Sequence, residues 1–454
     1  MEIAPAPASE EKKPKRRLSM AVQVVLAVVI AVPVGLLLGV DGSHAEGMSK
    51  GLRGALGFLI AVLGMTPKIV LKALTAVGAP LVLLAIITAI TTNDIPARKG
   101  LRMMLWYGLN TLLAITVGLT LSLLIKPGLG AVVDVTALVS SGPPRLAQVL
   151  VPLQPSLDPP ARITIRDLVM DLVPRSLGDA LVRNHIAQIA FIGLAVGITL
   201  ARMKKRENSP GPAARLVETG TLLFDLAVRI LNVIVAFVPA AVFGVVATAV
   251  AYTGFRIFSA LGHLILTVLL GLAIQFSWYL VLLVVRGRMS PWRFLRALPE
   301  VLSVAFSSSS STATLPRTLD ALQTRLGVSR ASSQLAACVG TNFNNDGTAL
   351  YQGAVAIFFA QAAGVPLDTA AAIALALATV VAAFGAGGIP SGSFITLPLT
   401  FALVGIPIAG LPILLTVDWF LDRCRTAVNV AGDMSVAVLI DRDGEAEPKP
   451  AEAR

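Results

Sequence analysis

Apolar runs too long for a soluble core set the limits on this chain. The first, Ser19–Val40, is long enough to cross a ~30 Å hydrocarbon core as a helix. Further runs occupy 57–91, 103–125, 184–202, 215–251, 257–286, 333–362 and 405–437. Of the 454 residues, 55% are hydrophobic and only 14% charged, against about 25% charged in soluble domains. A soluble enzyme of several domains is therefore excluded. The net charge of +11 comes from short clusters between the runs. It does not form the basic face on a polar domain that a nucleic-acid reader needs. The cysteines, Cys338 and Cys424, stand in apolar surroundings and make no disulfide framework. His44, His185 and His263 show no zinc spacing.

Residues 1–18 are polar, with Lys12, Lys13, Lys15, Arg16 and Arg17 ahead of the first run. A signal peptide has a shorter apolar region and a small-residue cleavage site, so the pattern predicts an uncleaved first helix. Arg98, Lys99 and Arg102 follow the second run, Arg202 to Arg206 the fourth, and Arg286 to Arg296 the sixth. All fall on the side of the basic N-terminus, as the positive-inside rule requires. The reading is eight crossings of the cell (inner or plasma) membrane with both termini cytoplasmic, and a long external loop at 126–183. Runs 57–91 and 215–251 exceed a straight crossing, and Pro67, Pro80 and Pro239 offer bending points.

The last third has a different pattern. Residues 290–318 and 370–400 each place a small-residue interruption between apolar flanks: Ser307–Ser311, and Gly385 to Ser393. Both read as re-entrant helical hairpins, since non-helical backbone at membrane depth survives only where protein or a wet cavity surrounds it. A flexible loop is the plain alternative for the serine run. Each hairpin precedes a polar-interrupted span, Asn342–Thr348 and Asp418–Asp433. Paired interruptions of this kind mark an inverted repeat around a transport site.

In the final run, Asp418, Asp422, Arg425, Thr426, Asn429 and Asp433 share a helix sector about 100° wide. Each charge near the bilayer centre costs roughly 2.5–3.5 kcal/mol. A salt-bridge ladder joining helices is one account; a path for a ligand and cations explains the run of acids better. Arg423 lies outside the sector and could snorkel or pair with an acid. Asn342, Asn344, Asn345, Asp346 and Thr348 offer oxygens suited to a hard cation such as Na⁺, or polar contacts between helices. Tyr107, Asn110 and Thr111 form a smaller polar patch. An arginine fork suits a carboxylate and a neighbouring aspartate suits an ammonium, so a zwitterion with an extra carboxylate fits Asp422 and Arg425.

The strings SSSSTATLP, NNDGTALYQ, GAGGIP and VDWFLDRCRTAVNVAGD resemble the glutamate transporter family. These are the dicarboxylate/amino acid:cation symporters, including archaeal aspartate and animal excitatory amino acid transporters. The resemblance is dense from about 290 to 437 and weaker before. It implies an all-α homotrimer with an elevator mechanism. Scaffold helices would fill 19–92 and 184–252. A moving transport domain would take 93–125 and 253–437, and a cytoplasmic tail 438–454. The second hairpin would be the extracellular gate.

The resemblance also implies roles. Arg425, helped by Thr348, would hold the substrate side-chain carboxylate. Asp422 would take the amino group, with Thr426 and carbonyls at Ser309 and Ile389. Asn429 and the Ser311 backbone would take the α-carboxylate, and Ser310 and Ser393 would complete the set. One cation would sit on Asp433 with carbonyls of Gly340, Asn344 and Asn429. A second would use Tyr107, Asn110, Thr111, Asn344 and Asp346. A third would lie on carbonyls of Asn342, Ala383, Phe384 and Ala386. Asp418 and Asn345 would stand behind these ligands, with Arg423 as an accessory charge.

Three positions depart from the family pattern: Asn345 replaces a methionine, Asn110 a threonine, and Gln352 a glutamate of the animal relatives. Ser309 with Arg423 resembles the animal arrangement. The expected function is Na⁺-coupled symport of aspartate or glutamate across a lipid bilayer, with no organic cofactor. The alternative is a proton-coupled C4-dicarboxylate or neutral amino acid symporter. No nucleophile–base pair or metal signature suggests an enzyme.

Overall fold

In hydrocarbon each backbone N–H and C=O needs a partner within its own segment or a closed sheet. The apolar runs meet that need as helices. The computed structural model describes residues 20–38, 50–92, 97–129, 174, 176–182, 186–207, 211–253, 256–365, 367, 369–385, 388, 390–404 and 411–442. Regular structure among the described residues is helical throughout. The elements are α1 (Met20–Leu38), α2 (Lys50–Thr92), α3 (Ala97–Ile125), α4 (Leu177–Val182) and α5 (Ile186–Arg206). Next come α6 (Pro212–Val235), α7 (Val238–Thr253), α8 (Arg256–Val285), α9 (Pro291–Ser308) and α10 (Ser311–Asp320). After a π-helical turn, Ala321–Arg325, follow α11 (Arg330–Phe343), α12 (Asp346–Ala362), α13 (Thr369–Gly385), α14 (Ser393–Val404) and α15 (Leu411–Arg442).

Among the described residues, four stretches are long and apolar enough to cross a membrane: Ala55–Thr92, Lys99–Ile125, Pro212–Ala251 and Phe258–Val285. The other expected crossings are short or polar. The apolar part of α1 is Val22–Leu38, α5 ends in Lys204, Lys205 and Arg206, and α15 carries the charged sector. The run 333–362 divides at Asn344 and Asn345, whose non-helical backbone separates α11 from α12. The run 215–251 breaks at Ala236 and Phe237, just before Pro239.

Two expected boundaries shift. α15 continues into the stretch read as a cytoplasmic tail, because Val438, Leu439 and Ile440 are buried against neighbouring helices. The first hairpin extends beyond 318 through α10 and the π-turn.

Two sets of helices pack mainly among themselves. α1 lies on α7, and α2 on α5, α6 and α7. α15 is enclosed by α8, α9, α11 and α12, and α12 also packs on α3. The sets meet where α7 touches α15, α14 touches α2 and α13 touches α5. Within the second set, α12 is buried from Asp346 to Ala360 and α15 from Val428 to Ile440. The polar residues of both helices therefore face protein rather than lipid.

Candidate functional site

Both hairpin tips end at the polar sector of α15. Each turns through a serine in the left-handed region, Ser309 at φ 53° and Ser391 at φ 57°, which non-glycine residues adopt rarely and at a cost. The tips also hold one another. Ser310 Oγ and the Thr312 N–H donate to the Gly388 carbonyl at 2.8 and 3.4 Å. A Cβ on Gly388 would come within 2.4 Å of the Thr341 carbonyl, so this close approach requires glycine.

Arg425 lies at the centre, fully buried. Its Nη2 is 2.7 Å from Asp422 Oδ1 and 2.9 Å from Asp418 Oδ1. The Asp418 contact is an ion pair by proximity without an aligned hydrogen bond. Nη2 also donates to Ser393 Oγ at 3.2 Å. The guanidinium stacks on Tyr351, 3.9 Å from the ring centre. Its Nε and Nη1 find no protein acceptor. Asp422 Oδ2 accepts the Ser391 N–H at 3.0 Å, which ties the second hairpin to α15.

Ser309, Ser311, Thr348, Ser393, Asp422, Thr426 and Asn429 line one cavity with Asn345, Gly388 and Gly392. Its volume is about 10 Å³, room for one water. An amino acid enters only if a tip moves. Thr426 Oγ1 donates back to the Asp422 carbonyl at 2.8 Å. Asn429 Oδ1 accepts the Gly347 N–H at 2.8 Å, and its Nδ2 reaches Asn345 Oδ1 and Thr348 Oγ1, both at 3.4 Å. Ile389 lies outside the described residues. Arg423 points away, over the Trp419 ring at 5.7 Å. It shares with Ser309 a 350 Å³ cavity between α15, α1 and the α6–α7 turn.

Two turns along α15, Asn344 Nδ2 donates to Asp433 Oδ1 at 2.9 Å and to the Asn429 carbonyl at 3.3 Å. Asn344 Oδ1 is buried without a partner. A Cβ on Gly340 would meet both Asp433 Oδ1 and the Tyr107 hydroxyl within 2.7 Å. Asp433, Asn344, Gly340 and the Asn429 carbonyl are thus brought together, with Tyr107 beside them. Asp346 takes different neighbours. Thr111 Oγ1 donates to its Oδ1 at 2.7 Å, and Tyr279 OH and Gln275 Nε2 donate to Oδ2 at 2.6 and 3.4 Å.

The family model for the sodium:dicarboxylate symporter family matches residues 20–443. The chain belongs to the sodium:dicarboxylate symporter family. It is 30% identical to neutral amino acid transporter B(0) of Oryctolagus cuniculus, over 94% of this chain and 81% of that one. It is 28% identical to a C4-dicarboxylate transport protein of Anaeromyxobacter sp. (strain K), over 96% and 92%. It is 27% identical to the proton/glutamate-aspartate symporter of Escherichia coli (strain K12), over 93% and 92%. The family and these relatives are transporters, not enzymes.

In this chain the expected cation ligands take the following partners. Tyr107 OH donates to the Ala336 carbonyl at 2.7 Å. Asn110 Oδ1 accepts the Trp278 indole N–H at 3.1 Å. The carbonyls of Asn342 and Ala383 both accept Asn345 Nδ2, at 3.1 and 3.0 Å, so a neutral amide joins two helix C-terminal ends. Ala386 lies outside the described residues, and Phe384 sits in the last turn of α13. Sequence reasoning missed Gln275, Tyr279 and Trp278 on α8. Gln275 and Tyr279, four apart within an apolar run, were the available signal.

Proposed function

We propose that this symporter takes up an acidic amino acid together with Na⁺. The observation that carries the reading is Arg425: fully buried, one turn from Asp422, with two nitrogens lacking a protein acceptor. A substrate carboxylate satisfies those donors, and Asp422 takes the ammonium when the second hairpin lifts Ser391 away. Asp433 with the unpartnered Asn344 Oδ1 forms an oxygen-rich site for Na⁺, whose charge offsets the burial of the carboxylate. Asn345 Nδ2 already bridges two of the carbonyls expected to hold a third cation, so this chain moves fewer than three. The two packed helix sets work as scaffold and moving transport domain. The protein is a homotrimer in the cell membrane with both termini cytoplasmic, and the second hairpin is the gate.

A C4-dicarboxylate is the second reading. Both Asp422 oxygens are engaged within the protein, and an ammonium is not needed to balance that carboxylate. The relatives named for C4-dicarboxylates, glutamate-aspartate and neutral amino acids keep each class in the test. Reconstituted protein is given labelled aspartate, succinate and alanine, with Na⁺ replaced by choline at fixed ionic strength and pH varied separately. Concentrative aspartate uptake that requires Na⁺ supports the proposal. Succinate in preference to aspartate, or uptake following pH with a flat Na⁺ response, rejects it.

A further inference from the structure

At the end of the first hairpin away from its tip, three arginines converge on a cleft of about 480 Å³. Arg293 and Arg296 come from the first turns of α9, and Arg325 from the π-turn of the returning arm. Ser290, Trp292 and Ala297 complete the wall. Arg296 stacks on the Trp292 ring at 5.5 Å. Arg293 spends one nitrogen on the Leu326 carbonyl at 2.9 Å. Arg325 pairs with Glu300, which offsets only one of the three charges. The N-terminus of α9 opens at the same place, with Ser290 giving no side-chain cap. Pro291 has no N–H there, and the Arg293 and Phe294 N–H groups bond to the Ser290 carbonyl at 3.1 and 3.3 Å, so the helix end adds only the partial positive charge of its dipole.

Positive charges drawn together from two arms of a hairpin favour an anion between them. The surroundings indicate which anion. The cleft begins one short loop beyond Val285, the end of a membrane-length helix. Val281, Val284 and Val285 on that last turn are 50%, 52% and 66% exposed. Trp292 is 62% exposed, and an exposed tryptophan beside such a helix end is typical of the membrane–water boundary. A free phosphate would use the arginines alone. A phospholipid would also lay its acyl chains along the valines.

We propose that the cleft holds the phosphate headgroup of an anionic phospholipid, with Arg296 and Arg325 as its main contacts. Basic pockets at helix ends bind such headgroups, each basic residue contributing about fivefold in affinity.

The test is native mass spectrometry of the full-length protein titrated with phosphatidylglycerol and with phosphatidylcholine. Phosphatidylglycerol binds more tightly, and Arg296→Gln weakens it about fivefold. Arg325→Gln weakens it at least as much, since Glu300, its partner, is then left unpaired beside the arginines. Arg206→Gln removes the same charge at the end of α5 and leaves the affinity within about twofold. Equal binding of the two lipids, or equal losses for Arg206→Gln and the cleft variants, overturns the proposal. Complete displacement by millimolar inorganic phosphate makes this a soluble-anion site and also overturns it. Should Arg296→Gln not fold, as judged by its melting curve, Arg325→Gln carries the decision.

Discussion

Two carboxylate clusters meet on α15, and their charges are balanced differently. Asp418 and Asp422 lie against Arg425 on the same helix. Asp433, and Asp346 on α12, meet only neutral donors: Asn344 for one, and Thr111, Gln275 and Tyr279 for the other. Among the described ion pairs, none involves Asp346 or Asp433. A buried charge is tolerated when it is paired or binds a cation. The first cluster carries its counter-charge in the sequence. The second needs one from solution, and that makes it the better place for a coupling ion.

The strongest way to break this comparison is to remove the internal counter-charge. Arg425→Ala is expected to abolish saturable uptake of acidic substrates. The affinity should fall by at least about thirty-fold, as for loss of a buried charged contact of about 2–5 kcal/mol. Isothermal titration on protein verified as folded by size-exclusion chromatography measures it. Unchanged aspartate affinity would remove Arg425 from the site.

Asp433→Asn probes the other cluster. It keeps shape and hydrogen bonding but deletes the charge. The Na⁺ concentration for half-maximal substrate binding should rise about tenfold or more, ~1.4 kcal/mol. Substrate affinity across a Na⁺ series at fixed ionic strength reads this out. A variant that responds to Na⁺ like the parent assigns the coupling ion elsewhere.

Asn345→Met tests whether a tethered amide stands where a cation otherwise would. The slope of log affinity against log Na⁺ concentration should steepen by about one, since a further site raises the reciprocal coupling of ion and substrate. The lost hydrogen bonds cost about 1 kcal/mol each in stability. An unaltered slope shows that the amide only fastens α13 to α11.

Gln352 is buried and bonded to Thr396 Oγ1 on the second hairpin. A glutamine does not titrate, so this residue carries no proton. Uptake by the parent should leave the vesicle lumen at constant pH, while Gln352→Glu should make uptake pH-dependent. Lumen acidification by the parent would assign proton carriage to another group. The smallest effect is expected for Ser310→Ala, which loses the tie to Gly388. Substrate dissociation should quicken by no more than about tenfold, from a bond of 0.5–1.5 kcal/mol, as stopped-flow fluorescence would record.

The two helical hairpins were legible because Ser307–Ser311 and Gly385–Ser393 interrupt apolar flanks with small residues. The polar sector of α15 was legible because helical spacing places Asp418 through Asp433 on one face. The assignments around Asp346 were less so. Spacing sees only neighbours on the same helix, whereas Gln275 and Tyr279 reach Asp346 from α8, across some 70 residues of sequence. The departure at Asn345 was visible as a residue, but its bond to Ala383 joins positions 38 apart.

The sequence by itself determined the membrane setting, the helices, both interruptions and the residues of the charged face. Each follows from local composition or period, which a backbone in hydrocarbon must obey. Only the tertiary structure decided that Arg425 stacks on Tyr351, that the Tyr107 hydroxyl donates to the Ala336 carbonyl, and that the amide of Asn345 joins two helix ends. Those outcomes depend on which helices approach within hydrogen-bonding distance, and that is settled by packing among segments far apart in the chain.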